Sequence, residues 1–397
     1  PLLRFREVAF IELSGGTMIP DPIFELPMGS MLRVPPNSTV MLWLDLDCSD
    51  LKPGDYSGNI KLYPSYSGVE EKQLKLSLRV SPVDVSKVYV RNWTYAVRWP
   101  KDIEMLREYQ FNCFIPIPTH YTPQYDAEGK ASFPMMDAEI LALLNNGIKQ
   151  EEIFILIYPE FFQWARMRMP DGSYTDFMEP AWQEELRKRL TLLRDYLKEK
   201  YDISYDQYAF YPTDEPNGDP DNPQDKAYFA FVGGRFIKSI DPKFQLFCNP
   251  WKVADGRHQQ YFDLFEILEP CYPRMTDELK KLYAQSGREI WTYSVFEKSV
   301  GAPRYRHLFW ENMHAGFKGP ATFYDMFACS GDPFNSYDSN IKNSKVTADY
   351  GAAYKNARRN GFAASRRLEA WYLGYIDFKL ARFCENRIAQ LQAMGED

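Results

Sequence analysis

Short apolar runs broken by turn residues dominate the first 85 positions. The segments 5–13, 39–46, 58–63 and 73–80 are separated by Gly, Pro, Asn and Asp at the spacing of a β-sandwich. Leu42, Leu44 and Leu46 alternate with Met41, Trp43 and Asp45, although the segment is too apolar throughout to show one clean face. The stretch 51–60, Leu-Lys-Pro-Gly-Asp-Tyr-Ser-Gly-Asn-Ile, reads as a turn feeding a strand. Near Ser81-Pro-Val-Asp84 the pattern changes.

Beyond that boundary, strand-like and helix-like patterns alternate. Eight strand candidates occupy 87–95, 111–118, 152–158, 207–212, 244–249, 268–272, 289–295 and 321–326. The longest apolar run, 153–158, is a buried strand by its length. Between the strands, 182–200 carries Leu186, Leu190, Leu193 and Leu197 at helical spacing, and 276–285, 305–314 and a closing 365–392 are further helices. Eight β–α units in about 300 residues predict a (β/α)8 TIM barrel. The expected organisation is therefore a β-sandwich domain over 1–85 and a TIM-barrel catalytic domain over 86–397. A doubly wound sheet would offer a Gly-rich turn after its first strand, and none is present.

Composition narrows the function. The 397 residues carry a net charge of −7, which argues against nucleic acid as a partner. No stretch approaches the ~18 apolar residues of a membrane span. Aromatic residues reach 16%, and Tyr and Trp join a flat apolar face to a polar tip that suits sugar rings. The four histidines lack an H-x-x-x-H pair, and the six cysteines are scattered without a C-x-x-C, so neither a metal centre nor a disulfide framework is expected. The chain opens inside an apparent strand, without a signal peptide, as expected of a mature or trimmed form.

In a TIM barrel the chemistry sits at the C-terminal ends of the strands. The fourth candidate strand ends Tyr211-Pro-Thr-Asp214-Glu215-Pro216, the sharpest feature in the chain. Pro216 should bias Glu215 toward extended backbone. Strand alternation would send the two acids to opposite faces, so both reach the barrel mouth only where the strand ends or bulges. A solvated acidic turn is the plain alternative for Asp-Glu-Pro taken alone. The other strand ends supply Trp93 and Tyr95, His120 and Tyr121, Tyr158 and Glu160, Asn249 and Trp251, Trp291 and Tyr293 with Glu297 beyond, and Tyr324 and Asp325. Each alone reads equally as core filler or a satisfied loop residue; their coincidence at one end of a barrel marks a ligand site. The loop Asn217–Asp225 is rich in oxygen ligands but lacks the closing Glu of an EF-hand, so a solvated turn is expected there.

Three features together resemble glycoside hydrolase family 123, the bacterial β-N-acetylgalactosaminidases, and the wider group sharing that catalytic domain. They are the 52–58 turn Lys-Pro-Gly-Asp-Tyr-Ser-Gly, the Asp214-Glu215-Pro216 strand end, and a C-terminal S-x-R-x-E-x4-G-x-x-D pattern in Ser365, Arg367, Glu369, Gly374 and Asp377. The last is expected to serve packing, since it lies on a long helix away from the strand ends. The resemblance implies a retaining, substrate-assisted mechanism on a β-linked 2-acetamido sugar, N-acetylgalactosamine favoured, in which the sugar's own acetamido oxygen attacks the anomeric carbon. It implies Glu215 as acid/base, Asp214 orienting the acetamido group, Tyr293 bonding the acetamido oxygen, and Trp251 and Trp291 walling the sugar. Trp93, His120, Tyr158, Asn249, Tyr324 and Asp325 would complete the sugar site. No cofactor or metal is implied, the partner is a carbohydrate or glycoconjugate, and the location would be secreted, periplasmic or cell-surface in a bacterium. Tyr324-Asp325 departs from the Trp expected late in strand eight. Two other readings remain: double displacement with Glu297 as nucleophile, and a non-catalytic carbohydrate-binding protein.

Overall fold

The computed structural model describes residues 2–12, 17–27, 29–66, 68–94, 100–114, 118–251, 256–296, 300–323, 351–355 and 362–395. Tyr95, Glu297, Tyr324 and Asp325 lie outside these residues. The N-terminal strands are Leu2–Glu12, Met18–Glu25, Met41–Asp47, Gly54–Leu62 and Lys72–Val80. The strand at Met18–Glu25 was not anticipated from the sequence. The first three form an antiparallel sheet that two late strands, Phe362–Ser365 and Tyr354–Lys355, extend beside Met18–Glu25. The other two pair as a separate hairpin, registered from Gly54↔Val80 to Leu62↔Lys72. A boundary drawn at residue 85 thus separates strands that share one sheet, because a sheet edge is completed by tertiary contact, which local pattern does not record.

Between residues 93 and 323 one series of described strand segments pairs in parallel and in chain order, interrupted by two antiparallel hairpins, Gln124–Tyr125 with Ala131–Ser132 and Arg166–Arg168 with Tyr174–Asp176. Trp93 bridges Cys113, and Cys113–Phe114 pairs with Phe154–Ile157, which pairs with Tyr208–Phe210. Phe210 bridges Leu246; Phe247–Cys248 pairs with Ile267–Leu268, which pairs with Glu289–Ile290, and Thr292–Ser294 pairs with Ala321–Phe323. Eight α-helices lie among the described residues, from Pro100–Glu108 to Arg366–Ala393.

The period of two in each strand sorts the core into two separate clusters. Phe154, Leu156 and Tyr158 join Trp93, Ala209, Tyr211, Phe247, Ile267 and Trp291 in one. Ile153, Ile155 and Ile157 join the helix side chains Leu186, Leu190, Leu193 and Leu197 in the other. This two-faced burial is why these strands read as continuous apolar runs, unlike half-buried antiparallel ones.

The C-terminal pattern ties the long helix to both parts of the chain. Ser365 caps the helix, accepting from the Leu368 N–H at 3.0 Å. The buried Arg367 donates to Asp21 at 2.8 Å and to the Gly351 carbonyl at 2.7 Å. Glu369 accepts from the Tyr109 hydroxyl at 2.8 Å and pairs with Arg6 of the first strand. At Gly374 an added Cβ would stand 2.5 Å from the Arg306 carbonyl oxygen, so only glycine lets helix Ala302–Ala315 approach. Asp377 takes two hydrogen bonds from Arg306, at 2.8 and 3.1 Å. The pattern does serve packing, as its distance from the strand ends suggested.

Candidate active site

Strand Tyr208–Phe210 stops before the acid pair, and the chain turns at Glu215 with φ of +45°. This corrects the extended backbone expected before Pro216. The left-handed turn, costly for a residue with a Cβ, swings Glu215 away from the alternation that would separate it from Asp214. Asn249 holds the turn: its side-chain oxygen accepts the Glu215 N–H at 2.8 Å, while its amide donates to Asp214 Oδ1 at 2.9 Å. Tyr211 donates to the same Asp214 oxygen at 2.6 Å. Lys226, opening helix Lys226–Ile240, donates to the Asp214 carbonyl at 2.9 Å.

The Glu215 carboxylate accepts from the Tyr293 hydroxyl at 2.6 Å. Burial pushes the Glu215 pKa above the ordinary carboxylate range, and the Asp214 charge adds to it; the Tyr293 hydrogen bond, Lys226 and Arg274 oppose the shift. The expectation for Tyr293 was a bond to a sugar acetamido oxygen. In this structure its hydroxyl donates to the Glu215 carboxylate.

Glu160 completes the support. It is 1% exposed, has φ of +48°, and accepts the Asp214 N–H at 3.1 Å and the Gln163 N–H at 3.2 Å. Tyr158 donates to it and stacks on Tyr211 with ring centroids 4.6 Å apart. Burial raises the Glu160 pKa to about 7, with a further push from Asp214, against the two backbone hydrogen bonds and Lys226. The folded protein therefore holds a proton on Glu160 that the unfolded chain releases near pH 4.5. Stability should fall as pH rises through that interval and level off above pH 7. Glu160→Gln copies the protonated acid and removes this loss. Denaturant midpoints from pH 5 to 8 should show the wild type losing up to ~3 kcal/mol relative to the variant. Parallel pH profiles for the two proteins would show that Glu160 does not titrate there.

The remaining sequence-predicted residues divide. Tyr158, Asn249, Tyr293, Asp214 and Glu215 form one connected network. Trp251 lies under the Arg274 guanidinium, 4.0 Å from its ring centroid, and Arg274 acts on Glu215 electrostatically. Trp93 is buried in the sheet interior and donates to Glu269 at 2.7 Å. Glu269 is buried, and desolvation lifts its pKa well above the usual carboxylate range, with the Asp214 charge adding to the shift and the Trp93 and Thr322 hydrogen bonds opposing it. Trp291 is 0% exposed, packed against Trp93 and Phe247, with its N–H on Glu289 at 2.8 Å. It fills the core and offers no free face to a sugar. His120 is buried, with Nε2 3.4 Å from Glu139 of helix Pro134–Asn145. Tyr211, Lys226, Glu269 and Arg274 were missed by sequence reasoning. Tyr211 was in plain view, three residues before Asp214; the others come from distant segments with no local signal. Among the described residues no three His, Cys, Asp or Glu side chains gather as a metal site.

Comparison with solved structures bears on the fold of the chain. A family 123 glycoside hydrolase from Clostridium perfringens, described for glycolipid glycan hydrolysis, superposes with a TM-score of 0.67 at 12% identity, covering 99% of this chain and 78% of that one. A glycoside hydrolase (TM-score 0.42, 13% identity, 72% and 98% of the chains) and rutinosidase from Aspergillus niger (0.35, 12%, 68% and 79%) overlap too loosely to carry an argument. No sequence-family model and no curated protein sequence matches the chain. The chain has a glycoside hydrolase-like fold.

Proposed function

We propose that this protein is a retaining glycoside hydrolase that cleaves at a β-linked 2-acetamido sugar, N-acetylgalactosamine favoured, by substrate-assisted catalysis. The observation that carries the proposal is the acid pair itself: Glu215, with its pKa raised, stands on a strained turn beside Asp214, and each carboxyl is held by dedicated donors. A carboxylic acid whose pKa burial raises is a better match for delivering a proton to a glycosidic oxygen and then, as carboxylate, activating water. Asp214 would accept the acetamido N–H and balance the positive charge of the cyclised intermediate. Tyr293 aims Glu215, and Asn249 holds both acids in register.

The proposal includes closure of the parallel strands into a (β/α)8 barrel with the acid pair at its C-terminal mouth. Supporting this, rings of the first, fifth and seventh strands meet inside: Trp93 lies 5.9 Å from Phe247 and 6.1 Å from Trp291. Thr322 of the eighth strand donates to the Trp93 carbonyl of the first at 3.2 Å. A panel of chromogenic β-N-acetylgalactosaminide, β-N-acetylglucosaminide and β-galactoside tests the function. Turnover confined to the 2-acetamido sugars is expected. Turnover of the plain hexoside would favour a protein nucleophile, and sugar binding without turnover would make the protein a lectin-like module.

A further inference from the structure

A second feature lies on the outer surface. Helix Ala302–Ala315 presents Arg306, His307, Trp310, Glu311 and His314 beside Tyr272, and these six side chains line a groove of about 630 Å³. That size falls within the range of small-molecule sites. Positions 307, 310, 311 and 314 recur at i, i+3, i+4 and i+7, so they share one face over about 10 Å of helix. Trp310 remains 52% exposed. Its indole N–H donates to Asp377 at 2.9 Å, which fixes the ring while leaving much of its surface open.

Arg306 and Glu311 each have an ion-pair partner, although Glu311 Oε2 is buried without a hydrogen-bond partner among the described residues. Arg306 holds Asp377 through two hydrogen bonds, and Glu311 pairs with Arg304 at 2.6 Å. An anion would have to displace Asp377 from Arg306, and an apolar ligand would strip water from the His, Arg and Glu rim without replacing its hydrogen bonds. A neutral ring with C–H groups on one face and hydroxyls around its edge meets both demands: it stacks on an indole and bonds polar side chains at the periphery. Tyr272, one of the lining residues, opens the turn Tyr272–Arg274, which ends at the arginine that acts on Glu215. The groove and the candidate active site therefore share one turn of chain.

We propose that this groove is a second, non-catalytic binding site for a neutral saccharide, with Trp310 as its stacking platform. The proposal stands apart from the hydrolytic reading, since an aromatic platform holds a sugar whether or not another site cleaves it. The test uses the full chain labelled with 5-fluorotryptophan, with Trp310→Phe assigning the Trp310 fluorine resonance. N-acetyllactosamine, cellobiose and N-acetylgalactosamine are titrated, with inorganic phosphate and glycerol as controls. The Trp310 resonance should shift saturably with at least one saccharide and with neither control. His307→Ala combined with His314→Ala should weaken that binding about tenfold. Trp310→Phe should leave turnover of small chromogenic glycosides within about twofold, because Trp310 contacts neither acid. No saturable shift with any saccharide, or an equal response to glycerol or phosphate, overturns the groove. Hydrolysis without a Trp310 shift sinks this proposal alone, and a Trp310 shift without hydrolysis sinks only the hydrolytic one.

Discussion

Glu215→Gln is expected to lower turnover of an unactivated 2-acetamido glycoside by roughly 10²–10⁴-fold, the usual contribution of a positioned general acid. The substitution is geometrically mild. Tyr293 donates to Glu215 Oε1, and the glutamine oxygen can accept the same bond. What disappears is the proton. Substrates with strongly activated leaving groups need little protonation, so their loss should be markedly smaller. A slight loss of equal size on every substrate would remove Glu215 from the role, since it would report local disturbance instead of missing acid chemistry.

The second large effect belongs to Asp214. Tyr211 and Asn249 both donate to its Oδ1, so Asp214→Asn can keep both partners on the retained oxygen and lose only the charge. If positive charge develops on the sugar's acetamido group, that charge matters most as the intermediate forms. Electrostatic stabilisers of this kind contribute about 2.7–4 kcal/mol, or 10²–10³-fold in rate. Glu297→Gln should then be mild, because no bond forms to it. Under double displacement the order inverts, with Glu297→Gln crippling and Asp214→Asn modest. A thiazoline mimic of the cyclised intermediate gives an independent measure and should bind far more tightly than free sugar. Weak thiazoline binding together with a severe Glu297→Gln defect would overturn both the role of Asp214 and the 2-acetamido substrate class.

Glu160 shows where a close reading of the sequence ran out. Its place at the end of a buried strand was legible, two residues after Tyr158. Its hold on the Asp214 backbone was not, because that bond joins residues 54 positions apart and depends on how neighbouring strands end. Trp291 shows the opposite error. Its type and its place in a strand suggested a sugar wall, yet a side chain at a strand position faces either the interior or the mouth according to register. The turn at Glu215 reversed a local rule: proline disfavours helical backbone before it, but the Asn249 carboxamide and the packing of Tyr293 hold the residue at positive φ.

Local sequence was enough to find the parallel strand segments between residues 111 and 323, the leucine face of helix Pro180–Tyr201, the start of the closing helix at Ser365, and the position of the acid pair just beyond a strand; helices Pro100–Glu108, Pro134–Asn145, Lys226–Ile240 and His258–Leu264 were not located. The features found follow from short-range chemistry: side-chain period, capping and turn preference act within a few residues. Tertiary structure alone decided which strands complete the N-terminal sheet, which aromatic rings are core and which are exposed, and which donors hold each carboxylate. It also set the proton affinities of Glu160, Glu215 and Glu269, because desolvation depends on everything packed around a group and no local pattern carries that information.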